Sequence, residues 1–211
     1  MQPPESLPAR LYLLAYDLRR ARLRGHVDAA VRAAALEDLR LLGYLSDDAG
    51  KVRVRDPRPL ADPVLDAVLR EADQGRPRPW KHWIAAHRRQ TERAVRDQLD
   101  DRLYLRVEHR RILGIIPHAT VTARDPRVIE HLQHTVVHAL TRGPAVSQVD
   151  PHVAALVAFA ALAQFDSVFP RRLRREHKTR IAEFVDRVTP VAPALKVVVD
   201  AIHAASYSAG G

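Results

Sequence analysis

The sequence predicts a mainly α-helical protein with one or two small β-hairpins. Apolar residues recur at helical spacing through most of the 211 residues. Prolines stand at the joints between these segments, where helices begin and end. Two stretches instead alternate apolar and polar residues on either side of a short polar segment, as hairpins do. We therefore expect one domain over residues 1–211, a helical core ringed by amphipathic helices, with a disordered tail at 206–211.

The first two predicted helices form an apolar platform at the start of the chain. Ser6 can cap the first helix, whose apolar stripe ends at Leu18. Arginines crowd its exit, at Arg19, Arg20, Arg22 and Arg24. After the break at Gly25, the second helix is predicted over residues 27–42, and Gly43 ends it. Its alanines allow close packing against neighbouring helices.

The middle of the chain alternates between helices and hairpins. A first hairpin is predicted from Tyr44 to Val54 around the turn at 47–50, followed by an amphipathic helix over 61–72. Residues 80–86 and 87–99 predict a short and a longer helix. In a second hairpin, Leu103, Leu105 and Val107 alternate on one arm, and residues 108–111 form a charged turn. The other arm carries Ile112, Leu113, Ile115 and Ile116.

The remainder is predicted to be helical. Four helices are expected, over residues 126–141, 151–164, 172–188 and 192–205. The helix beginning at Pro151 is apolar nearly all round, as is typical of the central helix of a bundle.

The composition favours a polyanionic partner. The formal net charge is +9, and four of the 34 basic residues are lysines, leaving 30 arginines. Arginine forms paired hydrogen bonds with phosphate, so nucleic acid and an anionic membrane are both candidates. A GC-rich bacterial genome, which raises arginine and alanine throughout a protein, is the alternative explanation. The absence of cysteine excludes disulfides, thiol catalysis and cysteine-ligated metals.

The sequence predicts a cytoplasmic protein that associates peripherally with membranes. Residues 1–5 do not have the pattern of a signal peptide. The longest apolar run, residues 153–163, is well below the roughly 20 residues needed to span a bilayer.

Several ordered segments carry a resemblance to a known family. They are LYLLAYD at 11–17, RAAALEDLRLLGYL at 32–45, LDAVL at 65–69, Trp83-Ile84, residues 99–103, and PHVAALVAFAALAQFDSVF at 151–169. In this order they resemble the Golgi phosphoprotein 3 family, peripheral membrane proteins that bind phosphatidylinositol 4-phosphate. The resemblance covers almost the whole chain and implies a single domain of that family, with a helical core and an added β-hairpin.

The resemblance also implies a lipid-headgroup site. The family combines a tryptophan and an arginine near the second helix with two arginines one helical turn apart in mid-chain. The first arginine falls on Arg32 and the mid-chain pair on Arg88 and Thr91, whereas Leu23 stands in place of the tryptophan. Arg32 and Arg88 are therefore the predicted headgroup ligands. Weaker candidates are Leu23, Arg89, Thr91 and Arg93.

Two other surfaces are candidates for membrane or subunit contact. Ile112, Leu113, Ile115 and Ile116 would form an apolar hairpin tip, which in the family is associated with self-assembly. The alternative is a strand packed on its own core. The densest basic run comprises Arg171, Arg172, Arg174, Arg175, Lys178 and Arg180. It would assist docking on an anionic leaflet, or form an ordinary solvated face.

No motif predicts catalysis, a metal site or a cofactor. His131, His134 and His138 share a helix face, but the sequence offers no matching cluster of further ligands. Nucleophile-elbow, phosphate-loop and paired-carboxylate patterns are missing.

The sequence therefore predicts a peripheral membrane adaptor that binds anionic phospholipid headgroups. The main alternative is a winged-helix DNA-binding protein, in which residues 36–54 would supply the recognition helix and wing. DNA binding is the less favoured interpretation, because the alanine-rich helix offers few side chains that read bases. A third interpretation is a helical adaptor for acidic protein segments, since family members bind cytosolic tails of membrane enzymes. The physiological lipid, the client proteins and the oligomeric state stay open.

Overall fold

The computed structural model describes residues 2–112 and 116–208. Within them the helices are α1 Leu7–Leu14, α2 Val27–Leu41, α3 Pro63–Gln74, α4 Trp80–Ala85, α5 Arg88–Asp101, α6 Pro126–Thr141, α7 Pro151–Leu162, α8 Arg171–Glu176, α9 Lys178–Arg187 and α10 Val191–Ser208. The strands are β1 Tyr16–Asp17, β2 Arg22–Leu23, β3 Leu45–Asp48, β4 Lys51–Val54, β5 Leu105–Ile112 and β6 Ile116–Ala123. The strands pair as antiparallel ribbons, β1 with β2, β3 with β4 and β5 with β6. The prediction of a mainly helical fold with small hairpins is confirmed.

Helix α2 lies at the centre of the fold. Twelve of its 15 residues are buried, because its alanines let neighbouring helices approach from several sides. It packs against α1, α5, α7 and α10. A recognition helix must expose one face to enter the major groove. The burial of α2 therefore argues against the winged-helix interpretation, although the ribbon β3–β4 does follow it.

Three helices begin at an aspartate followed by proline. Asp62, Asp125 and Asp150 each accept hydrogen bonds from backbone N–H groups of the following turn, while the proline occupies the first helical position. This local chemistry explains why the starts of α6 and α7 agree with the predicted ones.

Helix α1 is shorter than predicted. It ends at Leu14, and the chain turns back through β1 and β2 instead of continuing to Leu18. The Asp17 carboxylate stabilises this turn by accepting the backbone N–H groups of Arg19 and Arg20. At the other end, Ser6 makes no side-chain capping bond. The Leu7 N–H instead donates to Asp38 Oδ2 at 2.7 Å, so the cap comes from α2.

The second hairpin corrects the predicted charged turn. Residues 108–111 belong to β5, which continues to Ile112, and the register pairs Ile112 with Ile116. The register places residues 108–111 opposite residues 117–120, within the paired strands and not in a turn. Leu113 and Ile115 lie outside the described residues, so self-association through this tip stays a prediction.

The C-terminal third contains a break that was not predicted. The expected helix over 172–188 divides at His177 into α8 and α9. Helix α10 includes residues 206–208, which the sequence assigns to the tail. No single helix of the described chain is both long and apolar enough to cross a bilayer. One pair does pass by length and composition, Lys178–Arg187 with Val191–Ser206, but it is bent by 117°.

Candidate anionic-headgroup site

The break between α4 and α5 places two arginines at the positive end of a helix. His87 adopts a left-handed conformation, with φ of +52°, and α5 then begins with Arg88 and Arg89. No acidic residue lies in the first turn of α5, and His87 makes no side-chain cap. The helix dipole and the guanidinium groups therefore add the same sign of charge. This arrangement favours a bound anion.

Arg88 joins this turn to the start of α2. Its Nε lies 2.9 Å from Asp28 Oδ2, in the first turn of α2. The Arg88 side chain keeps 24% of its surface exposed. The ion pair with Asp28 involves Nε, so the terminal guanidinium nitrogens of Arg88 are the donors that an anion would use.

Two histidines lie beside Arg88. His26 precedes α2, and its Nε2 lies 2.7 Å from Nε2 of His203 on α10. Burial lowers the pKa of His26, and the neighbouring His203 and Arg88 lower it further against the opposing effect of Asp28. At neutral pH one imidazole must accept the hydrogen bond, so at least one of the two is neutral.

Arg32, predicted as a direct headgroup ligand, is instead inside the protein. Its side chain is 0% exposed. Nε donates to the Trp83 carbonyl at 3.0 Å, and one terminal nitrogen donates to Thr91 Oγ1 at 3.0 Å. The other lies 2.6 Å from Glu71 Oε2 on α3. Burial lowers the pKa of Arg32 and Glu71 opposes this, so the ion pair keeps the guanidinium charged.

These contacts correct the role predicted for Arg32. Trp83 is in α4 and Thr91 is in the first turn of α5, so Arg32 bridges the two sides of the break that presents Arg88. Thr91 also donates to the His87 carbonyl. Arg32 is therefore a positioning residue in this structure, not a surface ligand.

The four weaker candidates for the headgroup site also divide into buried and exposed residues. Thr91 is 4% exposed and belongs to the Arg32 network. Leu23 is half-buried in β2, opposite Tyr16. Arg89 and Arg93 are exposed, one helical turn apart on α5. Of the predicted set, Arg88, Arg89 and Arg93 are thus available to a ligand.

The predicted basic run is only partly free to meet a ligand. Arg174 donates to the Phe169 carbonyl and pairs with Asp166, while Arg180 donates to the carbonyls of Ala139 and Pro144. Arg172 pairs with Glu176. Exposed members without such a partner in the described chain are Arg171, Arg175 and Lys178. Arg171 lines a cavity of about 470 Å³ together with His203, the histidine paired with His26.

A groove of about 730 Å³ opens beside Arg88, between α4 and α10; we call it the α10 groove. Its charged lining residues are Lys81 and Arg88, and none of the lining residues is acidic. Lys81, His26 and His203 were not predicted as site residues. The distances along the chain explain this, since His26 and His203 are 177 positions apart.

The three predicted same-face histidines do not converge with other ligands. The rings of His134 and His138 stack at 6.4 Å. In the part of the chain that the structure describes, no group of three histidine, aspartate or glutamate side chains is arranged to hold a metal ion.

A comparison with protein-family models gives a match. The family model described as Golgi phosphoprotein 3 (GPP34) matches residues 7–202, nearly the whole chain. No curated protein matches the chain.

Proposed function

Because the chain belongs to the Golgi phosphoprotein 3 family, we propose that it is a peripheral membrane adaptor, not an enzyme, and binds anionic phospholipid headgroups at Arg88. The observation that carries this proposal is the start of α5, where Arg88 and Arg89 stand at a helix N-terminus whose own first turn has no acidic residue, and where Asp28 of α2 neutralises only part of the charge. An anionic ligand would relieve the repulsion between these charges and the helix dipole.

A phosphomonoester headgroup suits this turn best. It carries nearly two negative charges and three acceptor oxygens. The terminal nitrogens of Arg88 can donate to two of these oxygens, and the partial positive charge at the start of α5 favours an anion at this end of the helix. Phosphatidylinositol 4-phosphate, the lipid that the family resemblance implies, belongs to this class and is the headgroup we propose first.

The remaining exposed cations would hold the protein on the membrane surface. Arg89, Arg93 and Lys81 lie near Arg88 along α4 and α5. Arg171 adds positive charge beside His203, and Arg175 and Lys178 are further exposed cations of the same run. Such residues attract an anionic leaflet over about one Debye length, so they contribute affinity that salt weakens.

The Asp28 carboxylate competes with an anionic ligand for Arg88. It already neutralises part of the Arg88 charge at 2.9 Å. Asp28→Asn keeps a hydrogen-bond acceptor but removes the negative charge. We therefore expect Asp28→Asn to bind anionic headgroups more tightly than the unmodified protein does.

Vesicle flotation tests the proposal. We expect the protein to float at physiological salt with phosphatidylcholine vesicles containing phosphatidylinositol 4-phosphate, less with phosphatidylserine, and not with phosphatidylcholine alone. Arg88→Ala should reduce flotation about tenfold, the effect of losing one charge-assisted contact. Arg70→Ala is the matched control, because Arg70 is exposed and pairs with Asp66 on α3.

Three results would overturn the proposal or its site. If the protein fails to float with any anionic vesicle, the proposed membrane function is wrong. Equal losses in Arg88→Ala and Arg70→Ala would show that net charge, not the α5 turn, determines binding. Tight, sequence-selective binding to duplex DNA would favour the nucleic-acid function instead.

A further inference from the structure

We propose that the α10 groove binds one acyl chain of the anionic membrane lipid whose headgroup lies at Arg88. The inference rests on the proposed function and extends it from the headgroup to the lipid tail. Its basis is that an open apolar groove and the candidate headgroup site share a residue, because Arg88 lines both.

The groove has the lining of a site for an amphiphile. Val198 and Ile202 contribute larger apolar side chains from α10, while Ala85 and Ala201 are small enough to leave the groove open. Lys81 and Arg88 supply positive charge without an acidic lining residue to balance it. A pocket of this size, mostly apolar with a few polar groups, is typical of sites for small ligands. The charges select an anionic end group, and the apolar surface selects a hydrocarbon tail.

The exposed face of α10 that borders the groove carries a row of apolar side chains. Val197 is 51% exposed, and Ala201 and Ala205 follow at four-residue intervals on the same face. This stripe rises about 12 Å along the helix, comparable to an extended chain of roughly ten methylenes. An acyl chain would cover it without a protein partner.

Alkyl phosphates test the groove separately from the membrane. We would measure calorimetric binding of dodecyl phosphate, below its micelle concentration, and of butyl phosphate, which retains the anionic group. Since each buried methylene adds favourable free energy, dodecyl phosphate should bind at least about tenfold more tightly than butyl phosphate. Arg88→Ala should weaken both ligands.

Ala201→Phe fills the groove from α10 and leaves Arg88 itself unchanged. We expect it to lower dodecyl phosphate affinity about tenfold and to weaken flotation with phosphatidylinositol 4-phosphate vesicles, while butyl phosphate binding stays unchanged. Ala204→Phe is the matched control, because Ala204 is also exposed on α10 but does not line the groove. Circular dichroism should show the same helix content in both variants.

The outcomes separate this inference from the proposed function. Vesicle flotation without a chain-length effect, or equal losses in Ala201→Phe and Ala204→Phe, would overturn the acyl-chain site and leave the membrane function intact. Tight binding of dodecyl phosphate without flotation would support a ligand site in the groove but overturn the proposed membrane function. Laurate binding as tightly as dodecyl phosphate would assign the groove to free fatty acids. A concentration-dependent dimer that Ala201→Phe abolishes would assign it to a second copy of the chain.

Discussion

Replacing Arg32 with methionine distinguishes a positioning residue from a headgroup ligand. Methionine has a similar length and suits a buried helix, so the change removes the guanidinium without leaving a large cavity. If Arg32 held a headgroup directly, the main result would be lost membrane binding. Because the structure buries Arg32 completely, we expect the main result to be lost stability.

The magnitude follows from the three contacts. The Trp83 carbonyl and the Thr91 hydroxyl would each lose a donor, at about 1 kcal/mol apiece. Glu71 would lose its ion pair, but its side chain is 28% exposed and can be rehydrated, so this term is also about 1 kcal/mol. The total, about 3 kcal/mol, lies at the low end for breaking a buried pair. For a chain of this length it corresponds to a fall in Tm of about 6–12 °C.

The assay combines urea unfolding with vesicle flotation at a temperature where the variant is folded. Arg32→Met should lower the free energy of unfolding by about 3 kcal/mol, whereas Arg88→Ala, at a partly exposed pair, should lower it by less than about 1 kcal/mol. Flotation should show the reverse order, with Arg88→Ala the weaker binder. If Arg32→Met unfolds like the unmodified protein yet fails to float, Arg32 is a direct ligand and the positioning argument is wrong.

Two further predictions concern the stability of the fold. His152 Nε2 lies 3.3 Å from Asp38 Oδ1, and this hydrogen bond raises the pKa of His152. Because the pKa is higher in the folded state, protonation of His152 stabilises the fold. This stabilisation is fully present below the pKa of the unfolded state and is lost as the pH rises through the pKa of the folded state. His152→Gln should therefore be more destabilising in urea unfolding at about pH 6 than at about pH 8, and a pH-independent loss would contradict this linkage. Gly25 has φ of +89°, and an added Cβ would lie 2.4 Å from the Ala163 carbonyl oxygen, so Gly25→Ala should destabilise by about 3 kcal/mol. The control is Gly43→Ala, because Gly43 has φ of +83° but open space for a Cβ. Its free energy of unfolding should fall by only about 1 kcal/mol in the same assay. If the two variants are destabilised equally, backbone strain alone is responsible and the steric argument is wrong.

The helical elements could be predicted where local signals agree. Helix α6 matches its predicted bounds because Asp125 caps it, Pro126 starts it and the apolar spacing continues to its end. The end of α1 could not be predicted from the same signals, since Leu18 continues the apolar stripe beyond Leu14. What ends the helix is the turn stabilised by Asp17 and the pairing of β1 with β2, which involves two residues in each strand.

The candidate site was harder to predict because its geometry depends on distant contacts. Arg32 lies in a helix flanked by Ala29, Ala33 and Leu36, all fully buried, so the neighbouring alanines did indicate that an arginine there could be inside. Its partners could not be found from spacing, since Glu71 is 39 positions away and Thr91 is 59. Arg88 was predicted as a site residue and is accessible, but its ion pair with Asp28 was not predicted.

The burial of Arg32 also explains how the site differs from the pattern that the sequence suggests. Thr91 stands where the second mid-chain arginine was expected, and its hydroxyl accepts the Arg32 guanidinium inside the protein. Another arginine at that position would bring two like charges together where little water is present to separate them. The charges available to a ligand are consequently displaced outward, to Arg88 at the helix N-terminus and to Arg89 and Arg93 on the exposed face. Because the face carrying Arg89 is turned about 100° from Arg88, we expect Arg88 to make the direct contact with the phosphate. Headgroup selectivity should therefore reside in Arg88 and the α5 turn, while Arg89 and Arg93 add salt-sensitive affinity for the membrane as a whole.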